Sequence, residues 1–585
     1  MNQGGNVAQR PKSKDPGWKY NNWDMLMTRM LFVATFAGGN FGKGVIDLGG
    51  LEVYEAQYFK KIWDTKIGGP NGLGASFYEP TSFPLGFKLL GHFCKPNTMT
   101  MFVSVLAAKD TTGDLVDGAL IRPVDFRLIW TSKGLDITQL EDGYIWLPIP
   151  PIGYRTLGHI VTTSPQKPSV DIVRCVRKDF TDSTEEEHWL WGLKVSNDSS
   201  NYVDIYTTKP VNRELSVRAG TFLARGNGFS THGLACLKMV RTDPYYAMPN
   251  SEQIRAMIHT YAPWVYFHPD EEFFPSSVSW FFLNGVELHQ MGQGIWPIME
   301  NGDNLPTNGS INDAFLDLPS DESKKNEVKK GYLASAMAYI HVKPAFGGTF
   351  TDLAIWIFYP FNGGGKFQLG PFTINLGKIG EHVGDWEHIT LRIDNFRGIL
   401  KEIYLSQHSK GKWVSAIEFE FINGTRPIVY ASLHGHTHYN TPSYHLHSVV
   451  KIDSTDVQML YDEYFKLNKD SSKIPIVNGE KFAGFGARDD TAKSDNVMDV
   501  ASSYNVVCVD YKAFELKPWL KYTGRWGPKI TYGFAKFIKK EINNLPDKVK
   551  ALAIKLLNKL PAELLGQEGP QGPKMRDNWL GDERV

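Results

Sequence analysis

The sequence predicts a mainly β protein: an N-terminal pseudo-threefold β-prism, then a β-sandwich or jelly roll, with a short amphipathic helical tail. Three observations predict this. A nine-residue motif recurs in the first half. The second half carries short β-branched runs separated by Gly- and Asn-containing turns. The last sixty residues switch to a helical period.

The motif is Pro84-Leu85-Gly86-Phe87-Lys88-Leu89-Leu90-Gly91-His92, repeated as Pro151-Ile152-Gly153-Tyr154-Arg155-Thr156-Leu157-Gly158-His159. A weaker third copy is Gly220-Thr221-Phe222-Leu223-Ala224-Arg225-Gly226, and Gly86, Gly153 and Gly220 stand 67 residues apart. Apolar runs follow each copy, at Met101–Ala107, Val170–Val176 and Leu234–Val240. Cys175 and Cys236 sit at similar places in the second and third runs, which predicts buried thiols. His92 and His159 lack a counterpart in the third copy and read as structural. A repeated unit of this kind buries its apolar face only against its neighbours.

In chain order, residues 1–44 read as an arm with a short helix, Trp23 to Phe36, whose Trp23, Met30 and Phe32 are candidate membrane contacts. Residues 45–245 read as the prism-like domain with three repeats. Residues 246–528 read as the sandwich. Its strands are expected at Ala336–Val342, Ala354–Tyr359, Trp386–Ile393, Ile403–Gln407 and Ile428–Leu433, with an exposed loop from Asp303 to Lys330. Residues 529–585 form the tail, where Tyr532–Asn544 and Asp547–Leu560 each put apolar residues on one helical face. Phe537, Lys539, Lys540 and Lys555 are candidate membrane contacts there. A helical hairpin docked on the β domains explains the same pattern.

Composition narrows the function classes. The 63 basic and 63 acidic side chains cancel, which argues against a nucleic-acid partner. Aromatic residues make up 13% of the chain, which suits β-sheet. The four cysteines are far apart and include no CxxC pair, so a zinc knuckle is excluded and reduced thiols are expected. No run reaches the ~18 apolar residues of a membrane span. The expected location is cytoplasmic or peripheral to a membrane, and secretion is not expected.

The densest chemistry is Gly380-Glu381-His382-Val383-Gly384-Asp385-Trp386-Glu387-His388, just before the alternating run Ile389–Ile393. Side chains alternate along a strand, so Asp385 and Glu387 share a face with Ile389, Leu391 and Ile393. Two carboxylates side by side repel unless a cation or a shared proton lies between them. A divalent cation held by His382, Asp385 and Glu387 resolves the conflict, and oxygen-rich ligation favours Ca²⁺ or Mg²⁺. A salt-bridge and hydrogen-bond cluster at a strand end is the alternative. His434-Gly435-His436-Thr437-His438 ends another strand. If that strand continues, its three imidazoles share a face, and His434 and His436 join the ligand set.

Gly435-His436-Thr437-His438 also imitates the last motif of calcineurin-like metallophosphoesterases, but that family's Asp-x-His and Gly-Asn-His are missing. No Gly-x-Ser-x-Gly, P-loop, His-Glu-x-x-His or dinucleotide fingerprint occurs. No catalytic residue is assigned.

Two resemblances add to this reading. From about residue 50 onward the chain resembles the plant family related to vacuolar protein sorting-associated protein 62. The resemblance rests on Ile62-Trp63-Asp64-Thr65, Gly74-Ala75-Ser76-Phe77-Tyr78-Glu79-Pro80, Tyr144-Ile145-Trp146-Leu147-Pro148, Pro275-Ser276-Ser277-Val278-Ser279-Trp280 and Asn578-Trp579-Leu580-Gly581-Asp582-Glu583. Plant insecticidal proteins are grouped with this family. Locally, Glu381–Glu387 resembles the Gly-His-Arg-His-Asp-Trp-Glu heptad of necrosis-and-ethylene-inducing-like cytolysins, β-sandwich proteins that use a divalent cation to engage sphingolipid head groups. The resemblance implies His382, Asp385 and Glu387 as ligands. Gly384 stands where the heptad has its second His, and Asn362 is the nearest candidate for the upstream ligating Asp. The threefold repeat is also similar to the β-prism of membrane-associated domains in endosomal-sorting subunits.

Together these imply a membrane-associating, divalent-cation-binding protein with a cytolytic or insecticidal, pore-forming output. Its partners would be lipid or glycan head groups, with homo-oligomers forming on membranes. An intracellular vacuolar-sorting adaptor is one alternative and a metal-dependent, phosphodiesterase-like hydrolase another.

Overall fold

The computed structural model describes residues 38–137, 141–194, 202–226, 234–243, 245–408, 410–447, 454–467, 485–508, 514, 516–530, 540, 542–557 and 569–585. Trp23, Met30, Phe32, Phe537 and Lys539, with the helices expected at Trp23–Phe36 and over most of Tyr532–Asn544, lie outside these residues. The described residues form a mainly β protein of many small sheets with a short helix, Asp547–Leu557, near the end of the chain.

The largest sheet has six strands, in the order Lys410–Ser415, Leu400–Gln407, His382–Asp394, Phe350–Asn362, Ala338–Ala345 and Tyr504–Val506. Its two longest strands pair antiparallel, from Phe350 opposite Asp394 to Asn362 opposite His382. Both faces of this pair are covered. Leu353, Ile355, Ile357, Ile389, Leu391 and Ile393 join one core with the helix Ser251–Tyr261. Trp356, Phe358 and Trp386 join an aromatic core with Trp519, Trp526 and Trp579 on the other. Burial on both faces explains why 354–359 reads as an unbroken apolar run rather than an alternation. The Ser251–Tyr261 helix starts at a capping box, with Asn250 accepting from Gln253 N and Gln253 answering to Asn250 N.

Two smaller sheets flank the large one. Arg426–Ala431 runs parallel to Trp264–Tyr266 and pairs with Phe421–Ile422 and His438–Tyr439. Phe372–Asn375, Lys366–Leu369, Phe485–Asp490 and Tyr444–His447 form the other. Its apolar side is covered by Leu460 of the helix Ser454–Leu467 and by Val549, Leu552 and Leu556 of Asp547–Leu557. The apolar face of that tail helix is therefore spent on the sheet, while Lys540 and Lys555 stay exposed. The stretch 303–330 is not all loop: it holds the strand Ala314–Asp317 and the helix Glu322–Lys329, which Asp321 caps through Lys324 N.

In the N-terminal half the repeats meet around a ring of three backbone hydrogen bonds. His92 N donates to His159 O (2.9 Å), His159 N to Phe222 O (3.3 Å) and Phe222 N to His92 O (3.3 Å). The third copy is thus four residues out of the register the glycines suggest. His159 follows His92 by 67 residues, but Phe222 follows His159 by 63. Gly91 and Gly158, next to the two ring histidines, pack against Thr221, where a side chain on either would collide. All four cysteines are reduced and buried.

The ring carries a pH prediction. His92 Nδ1 accepts from Val161 N (3.1 Å) and His159 Nδ1 from Ala224 N (3.3 Å), so both rings must be neutral. Burial pushes their pKa values down to about 3 and about 4. The unfolded chain binds protons at these histidines below about pH 6.5, where the folded chain does not. Their contribution is complete above that pH and shrinks as pH falls toward 4, by roughly 1.4 kcal/mol per pH unit for each histidine. His159→Gln, compared with the parent by denaturant titration from pH 7 to pH 5, is expected to lose one histidine's share of the slope. An unchanged slope would show that the ring is not the titrating group.

Candidate functional site

The site begins where the His382–Asp394 strand bends. Gly384 has a left-handed backbone (φ 66°), and a Cβ there would strike the Trp526 carbonyl. The pairing resumes at Asp385 opposite Tyr359. From there the alternation holds: Asp385 and Glu387 point to the face that carries Ile389, Leu391 and Ile393. At this end of the strand that face opens into a cavity of about 180 Å³. His382, Asp385, Glu387, His408, Asp489 and Arg576 line it, with Lys366, Arg488 and Asp490.

His382 Nδ1 donates to Gly384 O (2.8 Å), which leaves Nε2 as the nitrogen with a lone pair. Burial works against the Asp385 carboxylate, but the hydrogen bond from His436 leads the groups that outweigh it and hold its pKa below the usual carboxylate range. Glu387 goes the other way. Burial, with Asp385 as neighbour, pushes its pKa up to about 8 despite the hydroxyl donated by Ser406. The two neighbouring carboxyls are thus pushed apart, Asp385 toward the charged form and Glu387 toward the protonated one. The Arg576 charge acts on both.

The His-rich segment is a turn rather than an extended run. The strand stops at Ala431, and His434 and His436 take left-handed backbone (φ 65° and 57°). Ser432 N donates to Thr437 O (2.8 Å), and the chain returns with Tyr439 opposite Tyr430. The three imidazoles therefore do not share a face. The His436 ring stacks on Tyr359 at 3.8 Å, with Nδ1 3.1 Å from Asp385 Oδ2 and Nε2 2.9 Å from Phe273 O. Both nitrogens face acceptors, which favours the protonated ring: burial opposes the charge, and the Asp385 hydrogen bond outweighs it. His434 N donates to Glu271 Oε2 (2.7 Å), and its ring lies against Phe273. His438 is buried and held neutral, its pKa pushed down to about 3 by desolvation.

The structure also assembles residues that the spacing of the two motifs does not point to. His408, His447 and Asp489 bring their ligand atoms within 4.8 Å of one another. This His/His/Asp cluster has the donor set and spacing to coordinate a divalent metal ion. His408 sits in the turn just after the strand Leu400–Gln407, His447 ends Tyr444–His447, and Asp489 lies on the neighbouring strand Phe485–Asp490. Only the alternation of His445 and His447 hints at it in the sequence.

Among known proteins, the family model for vacuolar protein sorting-associated protein 62 matches residues 29–457 and 471–583. A Saccharomyces cerevisiae protein of that name is 26% identical over 224 residues, covering 35% of this chain and 40% of the relative. The chain spans between 40% and 51% of the length of the curated relatives it matches. Among solved structures, GNIP1Aa from Chromobacterium piscinae is similar over 36% of this chain and 40% of its own, at 19% identity and a TM-score of 0.28. Necrosis and ethylene inducing protein 2, from the causal agent of cocoa's witches' broom disease, is similar over 32% of this chain and 67% of its own, at 13% identity and a TM-score of 0.18. No described helix is long and apolar enough to cross a membrane. With nearly the whole length covered by one family model, the chain belongs to the vacuolar protein sorting-associated protein 62 family.

Proposed function

We propose that this protein is a membrane-recruited component of vacuolar sorting that recognises a polyol or anionic head group through a divalent cation. The observation that carries the reading is the pair of buried carboxyl groups, Asp385 and Glu387, on one strand face at an open cavity that His382 also lines. A Ca²⁺ or Mg²⁺ ion there would hold both carboxylates charged and keep coordination positions open for ligand hydroxyls. His436 would position Asp385 rather than ligate, and His434 would sit behind the rim. Arg576 lines the same cavity, as do Lys366 and Arg488, which pair with Asp490; these cations suit an anionic group. The cavity has room for a head-group-sized fragment rather than a peptide. The family's printed name supports the sorting role. In this reading the three N-terminal units form a β-prism, the second half forms a sandwich that presents the cavity, and exposed Lys540 and Lys555 face the membrane.

Co-sedimentation of the full chain with anionic, glycolipid-containing vesicles is expected to need calcium. It should fall at least tenfold with chelator or in Asp385→Asn. Equal sedimentation with and without calcium would remove the cation bridge. Release of dye trapped in the vesicles would point to a cytolytic output instead of sorting.

A further inference from the structure

The cavity that Asp385 and Glu387 line also reaches a different donor set. Four polar groups crowd Asp489 Oδ2: Tyr439 Oη at 2.7 Å, Thr437 Oγ1 at 2.9 Å, His408 Nε2 at 3.1 Å and His447 Nε2 at 3.2 Å, and His447 Nε2 also hydrogen-bonds Tyr439 Oη. Its other oxygen accepts no hydrogen bond among the described residues. A carboxylate has about four lone-pair sites spread over two oxygens, so four polar groups crowding one oxygen exceed what that atom alone can satisfy. The two imidazoles arrive from different segments and point the same nitrogen at the same atom. Ligands about 2.0–2.1 Å from a tetrahedral ion stand about 3.3 Å apart, close to the observed nitrogen–oxygen separations. An ion in their midst would take the Nε2 lone pairs and one Asp489 oxygen, leaving Thr437 and Tyr439 as donors to the carboxylate from the second sphere.

We propose that His408, His447 and Asp489 form a separate metal site for a borderline divalent ion of the zinc class. Two imidazoles and one carboxylate suit zinc and its first-row neighbours better than calcium or magnesium. Three protein ligands leave a fourth position open, and His408 and Asp489 both line the cavity, so that position faces the same space as Asp385 and Glu387. The assignment stands independently of the proposed calcium-bridged head-group binding.

Metal-stripped full chain titrated calorimetrically with Zn²⁺ alone tests it. One zinc per chain is expected, with calcium failing to compete. His447→Ala is expected to weaken zinc binding at least 100-fold, while His188→Ala, at an exposed histidine, leaves it unchanged. If His447→Ala does not fold, the parent loaded with Co²⁺ serves in its place: intense tetrahedral d–d absorption with imidazole ligation in its X-ray absorption spectrum is expected. Absence of zinc binding, or a Co²⁺ spectrum without nitrogen ligation, overturns the proposal. So does zinc binding that survives His447→Ala and is lost in Glu387→Gln, because the ion would then sit with the acids. Loss of calcium-dependent vesicle binding with zinc retained would count against the head-group reading alone.

Discussion

Replacing Glu583 with alanine is expected to destabilise the protein by roughly 3–5 kcal/mol, because it breaks a buried ion pair from one side only. The Glu583 side chain is wholly enclosed. Oε1 accepts from Thr390 Oγ1 (2.7 Å) and pairs with Lys343 Nζ (3.1 Å); Oε2 accepts from Asn578 Nδ2 (2.7 Å) and lies 2.9 Å from His388 Nε2. Lys343 is almost as deeply buried and also donates to Asn578 O (2.6 Å) and Gly581 O (3.2 Å). Alanine would remove that ammonium's ion-pair partner inside the protein, leaving it with Asp352, which Arg213 and Arg392 already engage.

Thermal or urea denaturation of the full chain measures the loss. Glu583→Gln keeps the shape and removes the charge, so it should fall between the parent and alanine. Lys343→Met added to Glu583→Ala should recover part of the loss; no recovery would mean that the stranded charge is not the cause. The pH sign is definite. Burial works against the Glu583 carboxylate, but Lys343 and His388 outweigh it and hold its pKa well below the usual value. Its contribution is complete above about pH 4.5 and is lost only as the medium becomes more acid than that.

Gly384→Ala is expected to cost about 2–5 kcal/mol and to weaken cation binding with it. An L-residue in left-handed backbone costs about 1–2 kcal/mol, and overpacking adds about 1–3 kcal/mol. The new methyl would meet the carbonyl and side chain of Trp526, which is fixed in an aromatic cluster with Trp386 and Trp519. Relief requires the strand to straighten, and Asp385 is the next residue to move. Gly384→Asn separates the two causes, because asparagine tolerates this backbone but not the lost space. Equal damage from Ala and Asn would assign the cost to space. Unchanged melting and unchanged calcium dependence would mean that the Trp526 segment yields.

Several features were legible before any coordinates. The alternation after Trp386 sets Asp385 and Glu387 on one face with three core isoleucine and leucine residues, because a strand allows no other arrangement. Motif identity led to the family, and scattered cysteines led to reduced, buried thiols. The existence of the main strands followed from β-branched runs between turn residues, although their ends ran short where both faces are apolar. The Asp303–Lys330 stretch misled because a polar surface strand and a polar capped helix share a loop's composition.

What local pattern determined is what a few neighbouring residues dictate by themselves: facing, turn chemistry, capping and helical period. The tertiary structure decided the rest. It turned His434–His438 back on itself, docked the Asp547–Leu557 helix on a sheet, shifted the third repeat by four residues, and brought His408, His447 and Asp489 together from one turn and two strands. Each depends on which strand lies beside which. That choice is set by burial summed over the whole chain and leaves no mark in the spacing of any one segment.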